Sequence, residues 1–341
     1  MKSWWRSRSR APETAPEPVA AANDAGVGGV GGAERLLARL EWTVVRRLDG
    51  LLQGNYRTLM RGSGLDLADL REYQSHDDVR HIDWNVTARL QTPHVRVFTE
   101  DREMTAWFVL DLSRSVDFGS GTQAKRAVSI GFVGALARLL TRHGNRVGAL
   151  VYGNDLEAVI PPRTGRRHVL HLLQSMQRRA VEAPPTQKGM TRLSDLLASA
   201  AGLMPRRSTV FVVSDFLSEP GWEQPLGRLA LRHEVIAVRL FDPLELDLPD
   251  LGLVPLHDAE TGEQLWVDTH DPGFRKRFAR LAAEREATLR AALSKARVDT
   301  LELSTADDLA AAILRFASAR KQRMRASGGG HPTFTKTAPA A

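Results

Sequence analysis

Residues 105–120 read TAWFVLDLSRSVDFGS, an apolar run from Ala106 to Leu110 followed by Asp111, Ser113 and Ser115 at alternate positions. A continuous run this rich in Val, Phe and Trp predicts a strand buried on both faces, and hence a parallel sheet covered by helices. Open sheets of that kind bind ligands just beyond the carboxyl ends of their strands, which is where Asp111, Ser113 and Ser115 would stand. One carboxylate and two hydroxyls offer oxygen donors only, a set suited to a hard divalent cation such as magnesium rather than to zinc or copper. The same triplet also reads as a strand end that caps the next helix.

Downstream, strand and helix signals alternate. Residues 122–143 have helical apolar spacing and stop at His143-Gly144-Asn145. Residues 146–152 read as a second buried strand, and 156–160 as a short third one that Pro161-Pro162 is expected to end. A helix is expected over 165–177, where His168 and His171 suit a packed face better than a metal. A loop at 183–189 leads to Thr191, then a helix at 193–204 and a fourth strand at 208–213 ending in Ser214-Asp215-Phe216. A helix at 221–233 and a fifth strand at 235–241 complete the repetition, which predicts a doubly wound, mainly parallel sheet with right-handed crossovers. Residues 242–269 form an excursion rich in Pro, Asp and Gly, with 264–267 one strand of a hairpin. Asp271-Pro272 starts a long helix to about 296, and a strand at 300–303 and a helix at 306–323 follow.

Upstream, residues 1–32 are too rich in Ala, Pro, Gly and charge to order themselves and read as a flexible arm. Gly26, Gly28 and Gly31 fit Gly-x-Gly-x-x-Gly, but no strand precedes them, so they read as linker. Trp4 and Trp5 beside Arg6 are a weak signal for a membrane surface or a partner. Leu36, Leu37, Leu40, Val44, Leu48 and Leu51 make 33–52 an amphipathic helix. Between 54 and 103 the charges are dense, and the alternation at 94–98 predicts strands or a hairpin against the main sheet. Arg71, Glu72, Asp77, Asp78, Arg80, Asp83, Arg89 and Arg96 form either an internal ion network or a partner-reading surface, with Arg71, Asp77, Asp78, Arg80 and Asp83 the candidates for the latter, and their near balance of sign favours internal pairing. His76 and His81 match no metal-ligand spacing. The expected organisation is an arm at 1–32, a helix and charged region at 33–103, an α/β domain at 104–323 and a disordered tail at 324–341.

With 43% hydrophobic and 26% charged residues, the 341-residue chain has the balance of a soluble globular protein. The longest apolar stretch, 127–140, contains Arg138 and is too short to span a bilayer. No apolar segment follows the basic start, so a cytoplasmic location is expected. The absence of cysteine excludes disulfides, thiol catalysis and Cys-ligated metals. The net charge of +7 is only partly clustered and has no interleaved aromatics, which favours a solvated basic surface over nucleic-acid binding.

Asp-x-Ser-x-Ser at a strand end resembles the von Willebrand factor A domain. The stretch GNYRTLMRGSGLDLADLREYQSHDDVRHIDWNVTARL, from Gly54, followed by FTEDRE and DLSRSVDFGS, is similar to the bacterial family called domain of unknown function 58, which is associated with MoxR-type AAA+ ATPases. Arg71-Glu72-Tyr73 and Ile82-Asp83-Trp84 carry the most specific part of the likeness; His76 departs from it, standing where the family usually has Gly. The resemblance implies a von Willebrand factor A-like fold with an N-terminal helix and strand extension. It also implies a metal site drawn from three loops: Asp111, Ser113 and Ser115, then Thr191, then Asp215. Magnesium, manganese or calcium would be held by the hydroxyls, with the aspartates acting directly or through water and one position left for a partner's carboxylate. The implied function is a metal-dependent interaction module, adaptor or co-chaperone for a MoxR-type ATPase or its client. The alternative is a magnesium-dependent hydrolase or phosphotransferase with Asp111 as nucleophile, but such enzymes resemble Asp-x-Asp, and Ser113 stands where the second acid would be. The chain has neither a Gly-x-Ser-x-Gly elbow nor a Walker loop.

Overall fold

The computed structural model describes residues 30–52, 70–74, 77, 79, 82–96, 104–153, 155–182, 191–257 and 264–327. Helix α1 (Val30–Leu40) passes through one π turn (Glu41–Val45) into α2 (Arg46–Leu52). Strand β1 (Leu70–Glu72) pairs antiparallel with β2 (His94–Arg96), and α3 (Trp84–Leu90) lies between them in sequence.

The rest alternates as the sequence predicts: β3 (Thr105–Asp111), α4 (Lys125–Arg142), β4 (Arg146–Tyr152), β5 (Leu156–Arg163), α5 (Arg166–Glu182), α6 (Leu193–Leu203), β6 (Thr209–Ser214), α7 (Glu223–Arg232) and β7 (Glu234–Phe241). A hairpin of β8 (Leu253–His257) and β9 (Gln264–Asp268) follows, then α8 (Pro272–Lys295), β10 (Asp299–Ser304) and α9 (Leu309–Ser327). Six strands form one sheet in the order β10-β7-β6-β3-β4-β5, all pairs parallel except β4 with β5. This is a doubly wound, mainly parallel α/β fold.

The two-sided burial of β3 follows from its sequence. Ala106, Phe108 and Leu110 join one core with residues of α1, α4, α5 and α9, while Trp107 and Val109 join a second core with residues of α6, α7 and α8. A period of two in a run with no polar position is what helices on both faces require. Phe108 stacks on Phe211 at 5.3 Å between centroids, and Phe132 of α4 meets both rings edge-on.

Several expectations change, among them the end of α5, which runs to Glu182 rather than 177. Pro161 and Pro162 do not end β5, which runs on to Arg163; as an outermost strand paired only with β4, it tolerates residues that donate no amide hydrogen. The alternation at 94–98 yields β2, which pairs with β1 rather than with the main sheet. The first helix begins at Val30, inside the expected arm, and Ala33, Leu37, Leu40, Val45 and Leu48 belong to the same core as β3, so no boundary separates that helix from the sheet. The last helix continues to Ser327, past the expected 323. Trp4 and Trp5, the glycines at 26–29, the 183–190 loop and the tail beyond 327 lie outside the described residues.

Candidate metal site

The order of strands reverses at β3: the next strand in sequence, β4, lies on one side of it and β6 on the other. The crevice outside the carboxyl ends of β3 and β6 is therefore the place where this topology leaves room for a ligand. Asp111 is the last residue of β3 and Ser214 the last of β6.

Asp111 is fully buried. Its Oδ1 accepts from the Ser113 backbone N–H at 3.0 Å and its Oδ2 from the Ser214 hydroxyl at 2.7 Å. The Ser113 and Ser115 hydroxyl oxygens lie 3.1 Å apart, both buried. Arg126 of α4 locks this loop, donating to the Leu112 carbonyl at 3.2 Å and to both carboxylate oxygens of Asp117. A Cβ on Gly119 would come within 2.5 Å of the Gln123 carbonyl oxygen, so the loop needs glycine there.

Thr191 is buried just before α6, and its carbonyl accepts from the Ser218 hydroxyl at 2.7 Å and the Glu219 N–H at 3.0 Å, which ties it to the loop after β6. Asp215, also buried, opens that loop. Its Oδ1 accepts from the Leu217 N–H at 3.0 Å and its Oδ2 from the Lys125 ammonium at 2.7 Å. Phe216 follows in the left-handed region at φ 59°, a strained setting for a non-glycine residue that turns the chain directly after the acid. The structure thus gathers Asp111, Ser113, Ser115 and Asp215 at the carboxyl ends of β3 and β6, and the Thr191 loop is bonded to the same β6 loop.

Lys125, at the first turn of α4, is fully buried and reaches a second acid, Glu245, at 2.6 Å. Glu245 ends the short turn Pro243–Glu245, which Asp242 caps. Asp242 is itself fully buried and accepts from Ser120 and Thr305. The sequence reading missed Lys125, Glu245 and Ser214. Asp242-x-x-Glu245 is a capping-box spacing, and it would have marked the turn though not its contact with Lys125.

Burial pushes the Asp111 carboxyl up to about 6, and the negative charge of Asp215 adds to the rise against hydrogen bonds from Ser214 and Ser113. Burial works to lower the Lys125 pKa, but the charges of Asp215 and Glu245 win and raise it, so the ammonium stays charged. In Asp242 burial is outweighed by hydrogen bonds from Ser120 and Thr305, and its carboxyl is lowered.

Among the described residues no three His, Asp or Glu side chains converge as a metal cluster. The donor set at the crevice is instead two carboxylates with hydroxyls, and it fits a hard cation: all donors are oxygen, and one carboxyl is held up by burial and, next, by the charge of the other. Both oxygens of Asp111 and of Asp215 already accept hydrogen bonds, so either acid would act through water or by giving up one of these donors.

The charged segment upstream is placed differently. Asp83 is buried and caps α3 by accepting from the Asn85 and Val86 N–H groups; Asp77 accepts from the Gln74 N–H within a turn. Arg71 lies on β1, and Asp78, Arg80, His76 and His81 fall outside the described residues. His168 binds the Val147 carbonyl at 2.7 Å and serves packing.

Two uncharacterized proteins, Mb1516 of Mycobacterium bovis and Rv1480 of Mycobacterium tuberculosis, are each 38% identical to the chain over 289 residues, covering 84% of it and 89% of the relative. Among solved structures, the conserved hypothetical protein BatB from Bacteroides thetaiotaomicron is similar with a TM-score of 0.39 at 14% identity, covering 64% of this chain and 99% of that one. An aerotolerance-related membrane protein from Bacteroides fragilis gives 0.38 at 13%, covering 65% and 99%. No helix among the described residues is long and apolar enough to cross a membrane. The model of the family described as protein of unknown function DUF58 matches residues 69–288, and the chain belongs to that family.

Proposed function

We propose that the protein is a metal-dependent protein-interaction module, an adaptor or co-chaperone that engages a MoxR-type AAA+ ATPase or its client in the assembly of a larger complex. The observation that carries the reading is the gathering of Asp111, Ser113, Ser115 and Asp215 where the strand order reverses, with Thr191 on a loop bonded to the same strand end. Ser113, Ser115 and Thr191 would hold magnesium, manganese or calcium through hydroxyls, Asp111 and Asp215 directly or through water. The bound ion would supply a Lewis-acidic docking point for a partner's carboxylate. Arg126 braces the first loop through Asp117 and the Leu112 carbonyl, and Ser214 holds one oxygen of Asp111. The identity of the partner rests on the family resemblance.

The enzyme alternative gains nothing from this geometry. It rests on Asp111 as nucleophile, and Ser113 stands where such enzymes place their second acid.

A pull-down with the MoxR-type ATPase as bait, in magnesium and then in EDTA, tests the proposal. Capture should require magnesium and be lost in Asp215→Ala. Equal capture in all arms would place the interface elsewhere.

A further inference from the structure

We infer that Lys125 is a tethered cation of the candidate site, competing with a divalent ion for Asp215 and so setting the affinity of the site. The inference rests on the metal-site reading above and concerns its regulation.

Lys125 is the first residue of α4, yet its side chain is fully buried. A lysine is rarely taken out of water unless its charge is matched. Here it is matched twice, by Asp215 Oδ2 at 2.7 Å and Glu245 Oε1 at 2.6 Å, and the Phe118 ring lies 6.0 Å from Nζ. The ammonium therefore occupies one oxygen of an acid in the candidate donor set, while the Leu217 N–H occupies the other. Asp215 and Glu245 share this one ammonium, and Asp111 is a further buried carboxyl within reach of the Asp215 charge, which leaves charge for a divalent ion to match.

Two effects follow. A cation arriving at Asp111 meets repulsion from a fixed positive charge next to Asp215, and any direct bond to Asp215 Oδ2 must displace Nζ. Glu245 counteracts both, because it shares the ammonium and draws it away from Asp215. Lys125 and Glu245 should then shift metal affinity in opposite directions, a pattern that damage to the fold does not produce. At separations of a few ångströms a unit charge alters divalent affinity by about tenfold or more, even with strong screening.

Titration calorimetry of the full chain with MgCl2 reads this directly. Lys125→Met should bind magnesium at least about tenfold tighter than wild type, and Glu245→Gln weaker. Removing the ammonium leaves a buried and a half-buried acid unpaired, so the double variant Lys125→Met/Glu245→Gln provides a second comparison. It should bind tighter than Glu245→Gln alone, by a similar factor. Circular dichroism confirms which variants are folded. Equal or weaker binding on losing the ammonium, in the folded pair, overturns the inference and leaves the metal site standing. No binding heat in any variant overturns both.

Discussion

Asp111 shows how one residue can make a fold depend on its medium. Its folded-state pKa, about 6, lies above the ordinary 3.8, so the folded protein holds a proton more tightly than the unfolded chain does. That stability is fully present below the unfolded value and is lost as pH rises through about 6. In EDTA, urea denaturation from pH 4 to 7.5 should lose on the order of 3 kcal/mol from this group alone. Asp111→Asn should flatten that part of the profile, while the same substitution abolishes any stabilisation by magnesium. Asp111 was legible in the sequence because it ends a continuous apolar strand run and two hydroxyls follow it at alternate positions. Lys125 was not. A lysine at a helix start reads as solvated, and the acids that bury it lie 90 and 120 residues further along the chain.

At the scale of elements, the N-terminal helix is held by close approach rather than by any motif. A Cβ on Gly134 of α4 would meet Leu40 Cδ1 at 2.8 Å and Leu173 Cδ2 at 3.2 Å, so the glycine lets α1 and α5 settle against α4. Gly134→Leu should cost about 1–3 kcal/mol in chemical denaturation and hasten proteolysis at residues 41–52, where the helix would lift. Asp83→Ala removes the cap of α3 and should cost about 1 kcal/mol. The apolar spacing of α1 and α2 was plain in the sequence, but the π turn that joins them was not, since one added residue per turn barely disturbs a pattern read over twenty residues. Strand β5 was cut short for a similar reason. A proline ends a central strand but not an outer one, and which strand lies outermost is a property of the sheet.

Across the whole molecule, a buried ion cluster joins parts far apart in the chain. Arg239 of β7 binds Glu286 of α8 at 2.6 Å and Glu302 of β10 at 3.3 Å. Burial raises the Glu302 carboxyl, opposed by the Arg239 charge. Arg239→Met strands two acids and should cost about 3–5 kcal/mol in the unfolding free energy, whereas replacing all three by apolar groups should be near neutral. The order of strands and helices was legible because the run from β3 to β7 keeps period two inside apolar stretches. The spatial order, the reversal at β3 and the cluster around Arg239 were not, because they depend on pairings between segments that local spacing does not encode. The outer position of β5 has a further consequence. Sheets aggregate by accretion, a stray chain adding its backbone to an unpaired edge. On this flank a newcomer meets Pro161 and Pro162, two successive residues with no amide hydrogen to offer. Fibril growth from that side is blocked there, and any assembly made across it must be built by side chains.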